Sequence, residues 1–155
     1  MNILFVCMGN ICRSPLAEGI FKDKVYKNHL DIFSDSVGTE YYHVGQNPDN
    51  RAIETGLKHN INISKLIARR IKVEDFDNFD KIFVMDSVNY SEVIGIARNK
   101  SDIEKVDYIL NAINPGENHE VPDPYYGGKE GFEKVFQMLD KACEAIIKQI
   151  KPNFE

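Results

Sequence analysis

The chain has no tryptophan and only three cysteines among its 155 residues. Cys7, Cys12 and Cys143 are too few for a disulfide framework, and a chain of this length buries a core without staples, so chemistry is the better motive for the thiols that lie near one another. The four histidines, His29, His43, His59 and His119, are scattered, and neither C-x2-C nor H-E-x-x-H spacing occurs. Chemistry without a metal or cofactor is therefore expected. No apolar run reaches the roughly 18 residues of a membrane span. The opening run, residues 3–6, has neither the basic lead-in nor the length of a secretory signal, so a cytoplasmic location is expected. A basic excess is also missing: Lys+Arg number 19 against Asp+Glu 24, a formal net charge of -5. That argues against nucleic acid or an anionic membrane as the main partner, while a local anion site remains open.

What is present is ordinary for a globular chain, 43% apolar and 28% charged, and is read as one domain over residues 1–155. Short apolar runs alternate with helical periodicities, with no internal repeat, which predicts an α/β fold around a parallel sheet. The runs at 3–6, 32–37, 81–85 and 106–109 are the four strand candidates, rich in β-branched and aromatic residues. A helix is expected to open with Ser14 as N-cap and Pro15 at its first position, with Leu16, Ala17, Ile20, Phe21 and Val25 as its apolar stripe. Further helices are expected at 48–58, at 87–98 and from 129 to the carboxyl end, where Phe132, Val135, Phe136, Leu139, Cys143, Ile146 and Ile150 recur every three or four residues. Cys143 belongs to that stripe and reads as a small core residue. Right-handed crossovers put helices on both faces of the sheet and working loops along its carboxyl edge, the polar stretch 111–128 among them.

One such loop follows the first strand: Cys7-Met8-Gly9-Asn10-Ile11-Cys12-Arg13-Ser14. A strand running into a helix N-terminus turns successive backbone N–H groups toward one anion, and Gly9 and Asn10 both tolerate the left-handed conformation this requires. It is not a nucleotide loop, since G-x-x-x-x-G-K-[ST] is absent. A thiol at its start meets the amides, the helix dipole and the Arg13 guanidinium, all of which favour thiolate over thiol, and the Ser14 hydroxyl can donate to the sulfur. Arg13 offers a planar fork to two phosphoryl oxygens. C-x5-R-S between a strand and a helix thus points to nucleophilic attack on phosphorus by Cys7.

These residues, with Pro15, resemble the signature of the low-molecular-weight protein tyrosine phosphatases. The likeness extends to Asp35-Ser36-Val37-Gly38-Thr39, to Phe79-Asp80-Lys81-Ile82-Phe83-Val84-Met85-Asp86 and to Asp123-Pro124-Tyr125-Tyr126-Gly127. The resemblance implies a four-stranded parallel sheet with helices on both faces, a phosphocysteine at Cys7, and Asp123 as the acid that protonates the leaving phenolate and later activates water. It implies that Met8, Tyr42, Tyr125 and Tyr126 line a crevice deep enough for a phenyl ring, and that Gly9, Asn10, Ile11, Cys12 and Ser14 shape the phosphate site. Ser36 and Asp86 would support that loop. Family members often carry a histidine in this network, and here Lys65 is expected in its place. The partners implied are phosphotyrosine-containing proteins, with small aryl phosphates as substrates in vitro. The chain would work as a monomer or self-associate weakly through its tyrosine-rich mouth.

Related activities on this fold separate by sequence. Arsenate reduction needs two thiols close together outside the loop, and only Cys143 remains. Arginine phosphatases typically carry Thr where Ile11 stands, and Ile11 offers a guanidinium no hydroxyl. A phosphotyrosine-binding module or a thiol redox sensor has no use for Cys7, Arg13 and Asp123 together. Cys7 and Cys12, five residues apart in one loop, could pair on oxidation.

Overall fold

In a computed structural model, which describes residues 1–155, the opening apolar run forms β1 (Asn2–Cys7) in the interior of a sheet. Neither face of β1 meets water. Ile3, Phe5 and Cys7 join one apolar cluster, Leu4 and Val6 another, and all five are buried. A strand covered on both faces reads as a continuous apolar run instead of an alternation. β1 pairs in parallel with β2 (Phe33–Gly38) on one side and β3 (Lys81–Val84) on the other, and β4 (Val106–Tyr108) completes the order β2-β1-β3-β4. The fold class expected from the sequence is the one observed.

The larger cluster fills the space between the sheet and helices α1 (Arg13–Lys27) and α6 (Gly128–Ile150). Phe5 is its centre, with ring centroids 5.5 Å from Phe21 and 6.1 Å from Phe83. The whole expected stripe of α6 is buried there, Cys143 included. α2 (Asn50–Lys58) packs against α6 and brings in Ala52. On the opposite face α3 (Asp75–Asn78) and α4 (Ser87–Gly95) contribute Phe76 and Val93 against Leu4, Val6, Ile82 and Val84.

Several boundaries differ from expectation. α1 begins at Arg13 with Cys12 at its cap and no side-chain cap bond. Ser14 lies inside the first turn because its hydroxyl is taken up under the preceding loop. The helix expected over 87–98 ends at Gly95, and Asn99 caps a separate α5 (Lys100–Glu104). At four and five residues, α3 and α5 are too short to show a helical period. The last strand gives way after Tyr108 to a 3-10 turn (Ile109–Ala112).

After β1 the chain leaves toward β2, and it returns to β3 on the other side of β1. The carboxyl ends of β1 and β3 therefore flank a point where the connections diverge, which is where open α/β sheets bind ligands. Phe5→Ala is expected to destabilise the fold by about 3–5 kcal/mol through the cavity it leaves. A lower urea midpoint at unchanged slope would register that loss.

Candidate active site

The loop between Cys7 and Arg13 is held from beneath. Thr39 N–H donates to the Cys7 carbonyl (3.0 Å) and Glu40 N–H to that of Met8 (2.9 Å), so the end of β2 continues its pairing with β1 under the loop. Gly38 permits this approach. A Cβ there would lie 2.7 Å from the Met8 carbonyl oxygen and 3.1 Å from Asn10 N, backbone that cannot swing aside.

Asn10 turns the loop. Its φ of 58° is left-handed, which asparagine tolerates better than most residues. Its amide nitrogen donates to Ser14 Oγ (2.8 Å) and Ser36 Oγ (2.9 Å), while its carbonyl oxygen accepts Arg69 N–H (3.1 Å). Ser36 Oγ in turn donates to Glu18 Oε1 (2.6 Å), a carboxylate 2% exposed that Lys22 also contacts. Gly9 is not left-handed. It is needed for closeness, because a Cβ would meet the His43 ring at 2.9 Å. Lys65 does not take the supporting place expected of it: it is exposed, and Arg69 N–H and Glu18 complete the network.

Ser14 Oγ lies 3.0 Å from Cys7 Sγ and 3.3 Å from the Val37 carbonyl, two acceptors for its one proton. The Arg13 guanidinium is 2% exposed. Its Nη1 donates to Asp86 Oδ2 (2.7 Å) and to the Val121 carbonyl (2.9 Å). Burial opposes its charge, but the Cys7 sulfur and the Asp86 and Asp123 carboxylates outweigh that and hold the guanidinium above its usual range. Nε and Nη2 have no hydrogen-bond partner within the chain, and Nη2 comes no closer than 3.8 Å to Asp123 Oδ2. One edge of the fork is thus fixed and the other free.

Asp86 stands at the N-cap of α4, where Oδ1 accepts Asn89 N–H (2.8 Å). Asp123 projects from the stretch before α6. Val121 N–H to the Met85 carbonyl (2.8 Å) pins that stretch at the sheet edge, and Tyr125 N–H donates to Asp123 Oδ1 (3.0 Å).

Cys7, Met8, Gly9, Ile11, Cys12, Arg13, Asp123, Tyr42, Tyr125 and Tyr126 meet around a cleft of about 300 Å³, as does His43, which sequence reasoning passed over. Asn10, Ser14, Ser36 and Asp86 lie behind its wall. Glu18 had a signal in the sequence: a carboxylate one residue past Ala17 and two before Ile20, on a helix face that turns inward. His43 had none, because only the folded loop brings it to Gly9. Within the cleft Cys12 keeps its proton. Burial, then the facing charges at Cys7, Asp49 and Asp123, push its thiol far above the ordinary range.

A thiol beside a free guanidinium edge, sharing a cleft with a carboxyl, suits displacement at a phosphorus centre. Residues 2–155 match the family described as low molecular weight phosphotyrosine protein phosphatase, and the chain belongs to that family. It is 39% identical to the low molecular weight phosphotyrosine protein phosphatase of Schizosaccharomyces pombe, over 97% of each chain. It is 40% identical to low molecular weight phosphotyrosine protein phosphatase 1 of Drosophila melanogaster, over 96% of each. Among solved structures, a protein tyrosine phosphatase of Entamoeba histolytica with Hepes in its active site superimposes with a TM-score of 0.92 at 38% identity, covering 100% of this chain and 99% of that one. The Drosophila arginine phosphatase DARP superimposes with a TM-score of 0.90 at 34% identity, covering 97% and 98%.

Gly38→Ala is expected to lift the loop and weaken inorganic phosphate binding at least about tenfold, or ~1.4 kcal/mol, in calorimetric titration. Iodoacetamide at neutral pH should leave Cys12 and Cys143 unlabelled in the native chain, because burial first of all raises both thiols and leaves little thiolate. Peptide mass spectrometry should find both labelled once guanidinium unfolds the protein.

Proposed function

We propose that the chain is a protein tyrosine phosphatase that hydrolyses phosphotyrosine monoesters through a phosphocysteine on Cys7, without a metal. The observation that carries this is the buried Arg13 fork, with Nη1 fixed by Asp86 and Val121 while Nε and Nη2 stay free beside the Cys7 sulfur. In this reading Cys7 sulfur bonds to phosphorus as the bond to the phenolic oxygen breaks. Arg13 and the loop amides hold the non-bridging oxygens, matching charge that spreads over them in the transition state. The electron pair leaves with the phenolic oxygen, which takes the proton of Asp123. Asp123 then accepts a proton from the water that attacks phosphorus, releasing phosphate and restoring the thiolate.

Ser14 Oγ would donate to the departing sulfur in that second step, from the 3.0 Å at which it stands. Tyr42, Tyr125 and Met8 wall the route to Cys7 with apolar surface suited to a phenyl ring. The partners are then phosphotyrosine-containing proteins, met in the cytoplasm by a monomer or weakly associating chain; no helix here is long and apolar enough to cross a membrane.

The likeness to an arginine phosphatase supports a second reading, phosphoarginine hydrolysis. Against it stands Ile11, which lines the cleft and presents only methyl and methylene groups where a guanidinium would need an acceptor.

The test is turnover of an aryl phosphate against phosphoarginine in chelator. Aryl turnover is expected to dominate, to vanish in Cys7→Ser and to fall about 10²-fold or more in Asp123→Ala, the scale of a lost general acid. Preference for phosphoarginine, or no turnover, would overturn the tyrosine assignment.

A further inference from the structure

The acid turn that carries Asp123 has few ties to the rest of the molecule. Its hydrogen bonds are largely its own: Tyr125 N–H to Asp123 Oδ1 and Gly127 N–H to the Pro124 carbonyl. Val121 anchors its base through Met85 and Arg13, and one further side chain joins the phosphate loop to the turn itself.

Arg51 stands in the first turn of α2, two residues after its cap Asp49. Asp49 grips it along one edge, Oδ1 accepting Nε (3.0 Å) and Oδ2 accepting Nη2 (2.9 Å), while Oδ1 also accepts Arg51 N–H (2.8 Å). The pair is tied to the phosphate loop, because Asp49 N–H donates to the Ile11 carbonyl (2.8 Å). With that edge held, the guanidinium lies against two rings: Cζ is 4.8 Å from the Phe132 centroid and 5.3 Å from that of Tyr125. Phe132 is fully buried on α6 and so is a fixed floor. Tyr125 belongs to the acid turn. A continuous path of contacts therefore runs from Ile11 through Asp49 and Arg51 to Tyr125 and Asp123.

We propose that Arg51 is a positioning residue that sets the distance of Asp123 from the phosphate loop by stacking on Tyr125; this rests on the phosphatase reading above. A planar cation suits the task. It satisfies a bidentate carboxylate along one edge and an aromatic ring on its face at once, and lysine supplies no such face. The clamp persists in acid, since bonding to Arg51 holds the Asp49 carboxyl below its usual range.

The consequence is specific to one step. As the sulfur–phosphorus bond forms and the phosphorus–oxygen bond breaks, a strongly basic phenolate needs the Asp123 proton, whereas a dinitrophenolate leaves without it. Displacing Asp123 should therefore penalise substrates in proportion to leaving-group basicity.

The experiment compares kcat/KM for phenyl, nitrophenyl and dinitrophenyl phosphates in wild type, Arg51→Ala, Asp123→Asn and the double variant. Arg51→Ala is expected to lose about tenfold or more on phenyl phosphate, part of the roughly 10²–10⁴-fold that a general acid supplies, and under about twofold on dinitrophenyl phosphate. It should lose nothing further in the Asp123→Asn background. A loss equal across leaving groups, a loss additive with Asp123→Asn, or no loss would overturn the proposal. Asp49→Asn, which keeps a good helix cap, should show the same graded loss in smaller measure and secures the result if Arg51→Ala unfolds. If wild type fails to turn over aryl phosphates, or Asp123→Asn shows no leaving-group dependence, the phosphatase reading itself fails and this one falls with it.

Discussion

A guanidinium cannot lie buried at 2% exposure without partners, because the desolvation of a full charge costs several kcal/mol unless carboxylates and carbonyls replace water. Arg13 meets that requirement with Asp86 at the end of β3 and with Val121 in the stretch that approaches β3 at Met85. The sheet order follows the same need. Only with β1 and β3 side by side does the loop that starts at Cys7 face the residue that caps α4. Nη1 is used up by these contacts, which fixes the plane of the guanidinium and leaves the opposite edge open, the edge to which the proposed mechanism assigns the phosphate. Preorganisation of this kind costs nothing at the moment of reaction, since it was met in folding.

The second constraint is the loop's curvature. A left-handed asparagine would be a weak point on its own, and here it is held by three hydrogen bonds to different elements: Ser14 on α1, Ser36 on β2, and the backbone of Arg69. The network continues to a buried carboxylate, Glu18, one turn beyond Ser14 on the same helix. Each member accepts or donates to a named partner, the condition under which buried polar networks stiffen a structure instead of weakening it. The stiffness is delivered at one place, the hydroxyl of Ser14, 3.0 Å from the Cys7 sulfur.

Much of this was legible because it is local. C-x5-R-S fits between a strand and a helix whatever surrounds it, and the α6 stripe is long enough that its period is unmistakable. The parallel sheet could be read from β1 because a strand buried on both faces has no alternation. What could not be read depends on groups distant in sequence. His43 and Arg51 enter the site only after the chain from β2 to α2 folds back over the loop. Ser14 looked like a cap because local rules reward a serine before a proline at a helix start, and the tertiary demand of the Cys7 sulfur took its hydroxyl elsewhere. Gly9 is not left-handed, and what a Cβ there would meet is the His43 ring, which would have to shift. Lys65 is exposed, and the support expected of it comes from the backbone N–H of Arg69, four residues on.

The two cysteines of the loop show how placement outranks residue type. Cys7 ends a strand in register with Gly38, close to the Arg13 guanidinium and the Ser14 hydroxyl. Cys12 stands at the opening of α1, buried, with Cys7, Asp49 and Asp123 as its facing charges, and all of these disfavour its thiolate. Arg51 works the other way, and Asp49 engages it along one edge. The clamp on Arg51 therefore has a second effect beyond the acid turn. It brings a carboxylate toward Cys12, adding to the burial that is the main reason its thiol is raised, while the compensating cation lies against Tyr125 and Phe132.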